Sequence, residues 1–134
     1  MKNRIDKKFK DLKKRGHKAL ITYVTAGDPN IKFIEDLVPF LDEIGVDIVE
    51  LGIPFSDPMA DGPVIQEASE RAILKGINLE KIFECVRHIR KKSQVPILLM
   101  GYFNNVLKFG LEEVTARAAE VGVDAFLIVD LPPE

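Results

Sequence analysis

The chain has 134 residues, 46% of them hydrophobic and 30% charged, with a formal net charge of -2. That length supports one packed core and is too short for two ordinary domains, so residues 1–134 are expected to form a single domain. One cysteine, Cys85, excludes an internal disulfide framework, no apolar run approaches the roughly 18 residues of a membrane span, and the opening MKNRIDKKFKDLKKRG lacks a signal core; a cytoplasmic protein with no membrane partner is the expectation.

The near-neutral charge conceals an asymmetry. Residues 1–18 hold nine Lys or Arg against two Asp, about +7, leaving about -9 on the remainder. Ile5, Phe9 and Leu12 fall at i, i+4 and i+7, which predicts an amphipathic helix with a solvated basic face. A nucleic-acid arm would need aromatic or Gly interleaving that is absent here.

Ala19 to Ala26 reads as a first strand, broken by Gly27, Asp28 and Pro29. Asp28 has the chemistry of an N-cap and Pro29 that of a first helical residue, so a helix is predicted over 29–44, kinked at Pro39 and closed by Gly45. Ile48 to Ile53 is a second strand. Helices follow over 64–75 and, opened by Asn78, over 79–92, the latter with Arg87, Arg90, Lys91 and Lys92 in its last two turns. Pro96 to Tyr102 is a third strand, a loop carries Asn104 and Asn105, a helix spans 111–121, and Ala125 to Leu131 is a fourth strand. Strands and helices alternate without a hairpin signal, which predicts an α/β fold with a parallel sheet. Gly45-Val46-Asp47 recurs as Gly122-Val123-Asp124 ahead of the fourth strand, a weak internal repeat.

The most informative stretch is VDIVELGIPFSDPMADGPVIQ, Val46 to Gln66. It opens as an apolar run suited to a strand buried on both faces, yet it carries Glu50, whose burial without a partner costs several kcal/mol. A stiff acidic loop follows, with Pro54, Pro58 and Pro63 around Asp57 and Asp61. In parallel sheets chemistry gathers at the carboxyl ends of strands, where this chain puts Tyr23 and Asp28, Glu50 with Asp57 and Asp61, Met100 and Tyr102, and Asp130. No Ser–His pair, reactive Cys setting or metal ligand set stands among them, so carboxylate acid/base work fits better than acyl transfer or zinc chemistry. Structural alternatives stay open: Glu50 as a hydrogen-bonded core carboxylate, Asp57 and Asp61 as turn formers, Asp28 as a cap, and Asp130 in a strand-end network. His17, His88 and Cys85 read as structural or surface residues.

The segment Val49 to Gln66 resembles the signature of the tryptophan synthase alpha subunit, and YVTAGDP at 23–29, LLMGYFN at 98–104 and GVDAFLIVDLP at 122–132 extend the resemblance over essentially the whole chain. It implies a (βα)8 TIM barrel, here the first four strands as a half-barrel, with residues 4–15 as an extra helix at the bottom. The implied reaction is the retro-aldol cleavage of indole-3-glycerol phosphate to indole and glyceraldehyde 3-phosphate in tryptophan biosynthesis. Glu50 is implied to move protons at indole C3 and the glycerol hydroxyl, and Asp61 to hold the indole N–H. Tyr23, Met100, Tyr102, Leu127 and Val129 are implied to line the ring pocket. Pro54 and Asp57 belong to the loop implied to face a beta subunit in an alpha2-beta2 tetramer; pyridoxal phosphate would belong to that subunit, with no cofactor or metal in this chain. The family's phosphate site and closing loop follow later strands, beyond residue 134. Three readings compete: a lyase completed by its other half, a half-barrel that pairs with itself, and a non-catalytic partner of the beta subunit.

Overall fold

A computed structural model describes residues 3–131. The basic segment is helix α1, Arg4–Arg15, and its start is fixed by a reciprocal cap in which Asp6 N–H donates to Asn3 Oδ1 at 3.0 Å and Asn3 N–H to Asp6 Oδ2 at 3.3 Å. Four strands follow, β1 Ile21–Thr25, β2 Ile48–Gly52, β3 Ile97–Gly101 and β4 Ala125–Ile128, paired in parallel in the order β1-β2-β3-β4. Between them run α2 Ile31–Glu43, α3 Pro63–Leu74, α4 Leu79–Ile89, α5 Phe103–Phe109 and α6 Leu111–Val121.

The two faces of the sheet differ sharply. Val49, Leu51, Ile97 and Leu99 have no accessible surface and pack with Ile34 and Val38 of α2, Phe83 and Val86 of α4 and Val114 and Ala118 of α6. Each such side chain contributes about 1.5–3 kcal/mol by leaving water, so this face holds the domain together. The opposite, inner face carries the alternate residues. Among them Ile21 and Leu127 keep 45% and 43% of their surface exposed, although both are large and apolar.

Helix α1 closes the amino ends of the strands by charge. Lys8 Nζ lies 3.4 Å from Asp47 and Arg4 Nη1 3.1 Å from Asp124, so two cations one helical turn apart reach the aspartates of the two repeat copies. Asp124 is nearly inaccessible and also takes Arg90 Nη2 at 3.0 Å. Burial pulls the Arg90 guanidinium down to about 10, which still leaves it charged at neutral pH.

Several expectations need correction. Helix α2 starts at Ile31 and is capped by Asn30, whose Oδ1 accepts from Phe33 N–H at 2.8 Å. Asp28 is no cap: Arg71 grips it through Nε and Nη2, both at 2.9 Å, and that guanidinium holds its carboxyl below the usual range. Helix α2 contains Pro39, as foreseen, and ends at Glu43, one residue before the expected end. Helix α4 ends at Ile89, after which Lys91 and Lys92 N–H donate to the carbonyls of His88 and Ile89, three residues back, at 3.2 and 2.9 Å, while the Arg90 side chain reaches the carbonyls of Val95 and Gly122. The loop foreseen around Asn104 and Asn105 is the helix α5, and β4 stops at Ile128, which leaves Val129 and Asp130 in a turn.

Candidate functional site

Glu50 stands at the centre of β2 between Val49 and Leu51, both of which face the helices. Strand alternation therefore sends its side chain to the inner face. Parallel pairing aligns Tyr23, Glu50, Leu98 and Ala125 in one row across the sheet, and Thr25, Gly52, Met100 and Leu127 in the next row toward the carboxyl ends. A lone carboxylate thus sits in an otherwise apolar and aromatic surface. Burial pushes its pKa up, and among the described residues no cation or hydrogen-bond donor opposes the shift.

Tyr23 crosses the neighbouring strand at Gly52. The approach is so close that a Cβ on residue 52 would lie 2.1 Å from the Tyr23 hydroxyl oxygen, so only glycine admits the ring. Burial raises the pKa of this hydroxyl, Thr25 Oγ1 at 3.3 Å lowers it, and the carboxylates of Asp61 and Glu50 both raise it. One hydroxyl therefore lies in the field of the two acids singled out from the sequence.

Asp61 reaches this region from the loop between β2 and α3. The loop turns on itself, with Asp61 N–H donating to the Pro58 carbonyl at 3.0 Å, and Gln66 Nε2 donating to the Asp61 carbonyl at 2.9 Å. Tyr102 anchors it: its hydroxyl donates to Asp61 Oδ2 and accepts from Ala60 N–H, each at 2.9 Å. Burial raises the Tyr102 pKa foremost, and the Ala60 N–H opposes that.

The remaining ring-pocket candidates divide. Met100 and Leu127 lie in the row beside Gly52, whereas Val129 lies in the turn directly after β4 and Tyr102 is 98% buried beneath the acidic loop. Pro54 is buried and accepts Asn105 Nδ2 at 3.1 Å on its carbonyl, while Asp57 is exposed and takes the Ser56 hydroxyl at 2.7 Å. Beside them a groove of about 540 Å³ runs between Pro54–Ser56, Ile77–Leu79 and the α5 residues Asn104, Asn105 and Lys108. A larger recess of about 660 Å³ lies away from these groups, among Glu80, Glu113, Arg117 and Glu120. Its one cation, Arg117, is already engaged by Glu80 at 2.7 Å and Glu120 at 2.8 Å, and the first of these pairs ties α4 to α6.

Asp130 accepts Phe103 N–H at 2.7 Å and so fixes the start of α5, the strand-end role foreseen for it. His88 pairs with Glu35 at 2.7 Å on the surface, and burial pushes the Cys85 thiol up to about 12, which makes it inert. Phe55, Asn105 and Thr25 were missed. Phe55 stacks on Tyr102 with ring centres 5.0 Å apart, and Thr25 is the buried partner of Tyr23. The spacing of Phe103, Val106 and Phe109 is a helical signal that would have exposed α5 and with it the place of Asn105.

The fold and sequence are shared with known proteins. The family model described as tryptophan synthase alpha chain matches residues 9–134. Tryptophan synthase alpha chains of Geobacter sulfurreducens and Geobacter sp. strain M21 are 56% and 55% identical over 132 residues, 98% of this chain and 50% and 49% of theirs. The crystal structure of tryptophan synthase subunit alpha from Legionella pneumophila str. Paris superposes with a TM-score of 0.95 at 45% identity, covering 98% of this chain and 50% of that one. A structure of tryptophan synthase from M. tuberculosis in an aminoacrylate-bound form gives 0.91 at 30% identity, over 98% and 53%. The chain spans about half the length of the curated relatives it matches. It carries the first four strands of their α/β barrel and belongs to the tryptophan synthase alpha chain family.

Proposed function

We propose that this chain supplies the acid/base half of a lyase site that cleaves indole-3-glycerol phosphate to indole and glyceraldehyde 3-phosphate. The observation that carries the reading is the lone Glu50 carboxylate on the apolar inner face, with Tyr23 lying in the field of both Glu50 and Asp61.

In the proposed sequence Glu50, whose pKa burial raises, delivers a proton to indole C3, and the ring nitrogen takes up the positive charge. Asp61 accepts the ring N–H as that charge develops. The Glu50 carboxylate so formed then removes the proton from the glycerol hydroxyl next to the ring. The carbon–carbon bond breaks, its electron pair restores the indole ring, and the hydroxyl carbon becomes the aldehyde. One proton is delivered and one recovered, so the chemistry needs no metal and no resident cofactor. Tyr23, Met100 and Leu127 offer an apolar and aromatic bed for the ring, with Val129 at its rim. The phosphate would be held by loops following later barrel strands, and the indole would pass to a beta subunit carrying pyridoxal phosphate and docked near Pro54 and Asp57.

The test combines the 134-residue chain with the carboxyl-terminal half of a Geobacter relative and measures indole release from indole-3-glycerol phosphate. Release is expected from the mixture and not from either half alone. Glu50→Gln and Asp61→Asn should each abolish it, and activity surviving either change would overturn the assignment.

A further inference from the structure

We propose that Tyr102 is a positioning residue for Asp61, a two-ended clip on the acidic loop rather than a wall of the ring pocket. A phenol hydroxyl has one proton to give and can accept in return, and here both capacities are spent on neighbouring residues of one loop. It donates to Asp61 Oδ2 and accepts from Ala60 N–H, each at 2.9 Å. Among the described residues nothing else bonds the Asp61 carboxylate, so the clip engages Oδ2 and leaves Oδ1 to accept an incoming N–H.

The base of the clip is rigid. The Tyr102 ring is 2% exposed and stacks on Phe55 at 5.0 Å with an interplanar angle of 29°. On its carboxyl side, Phe103 N–H is held by Asp130 and Asn105 Nδ2 by the Pro54 carbonyl. Both sheet edge and loop therefore fix the backbone from which the hydroxyl reaches. A mobile loop carrying a carboxylate loses orientational freedom only when something anchors the carboxylate itself, and preorganised geometry of this kind is what a developing charge rewards.

The inference rests on Asp61 holding a ring N–H, and its test separates the two ideas. Tyr102→Phe keeps the ring on Phe55 and removes only the hydroxyl. Amide exchange followed by NMR should show Ala60 N–H exchanging at least about tenfold faster in the variant, with Leu51 and Leu99 unchanged; unaltered Ala60 protection would overturn the clip whatever the ligand does. The chain contains no Trp, so indole fluorescence reports the ligand alone in a titration. Tyr102→Phe should weaken indole binding about as much as Asp61→Asn, and the double variant should bind no more weakly than Asp61→Asn by itself. Losses that multiply would show that Tyr102 acts independently of Asp61 and would overturn the proposal. Equal indole binding by the parent and Asp61→Asn would instead sink the ring-holding role of Asp61, with the exchange experiment still deciding the clip.

Discussion

Asp47 and Asp124 make the same two hydrogen bonds at equivalent points of the sheet. Asp47 N–H donates to the Leu20 carbonyl at 3.0 Å while its Oδ2 accepts Leu20 N–H at 2.9 Å; Asp124 does the same with Ile97, at 2.9 Å in both directions. The Gly-Val-Asp repeat is therefore a strand clip, once between β1 and β2 and once between β3 and β4. Each copy is tied to α1, by Lys8 and Arg4 respectively.

The two clips should not be equally costly to lose. Asp124 is 2% exposed and faces Arg90, itself 10% exposed, so Asp124→Asn leaves a buried guanidinium uncompensated and should destabilise by about 3 kcal/mol. Asp47→Asn keeps an acceptor for Leu20 N–H and loses only a partly exposed pair with Lys8, which should cost about 1 kcal/mol or less. Urea unfolding of the two variants checks the order, and equal losses would contradict it.

Glu50 should make stability depend on pH in a definite direction. Burial raises its folded pKa above the ordinary 4.5, so its neutral form is the one the fold favours. The contribution is fully present below about pH 4.5 and is lost as pH rises through the raised folded value. Glu50→Gln should therefore raise the melting temperature by about 2 °C at pH 7 and by almost nothing at pH 4. Calorimetry at both pH values decides, and an equal shift at each would refute the burial argument.

Gly52→Ala tests the seat of the ring pocket. The new methyl would meet the Tyr23 hydroxyl oxygen at 2.1 Å and Cζ at 2.6 Å, and the ring must swing away from Glu50. Overpacking of this kind costs about 1–3 kcal/mol. Indole binding, followed by its fluorescence, should weaken about tenfold, and unchanged binding would show that Tyr23 does not form the bed.

Asn30 rather than Asp28 should carry the start of α2. Asn30→Ala removes the acceptor for Phe33 N–H and should cost about 1 kcal/mol, whereas Asn30→Asp should be nearly neutral. Thermal unfolding monitored by circular dichroism measures both.

Much of the chain was legible in one dimension. Alternating strand and helix patterns, helix-ending glycines and the apolar run around Glu50 are local signals, and four parallel strands with Glu50 on β2 followed from them. Asp28 was misread because a capping residue and an ion-pair partner look alike until Arg71, from a distant helix, comes into place. Helix α5 was missed because Asn104 and Asn105 carry turn chemistry that outweighed the weaker spacing of Phe103, Val106 and Phe109. The sequence by itself determined the order of the elements and the acids worth watching, since periodicity and breakers act between near neighbours. Only the tertiary structure decided that Glu50 has no partner among the described residues, that Asp61 is held by Tyr102 and that Asp47 and Asp124 clip strands, because each depends on residues brought together by the parallel crossovers.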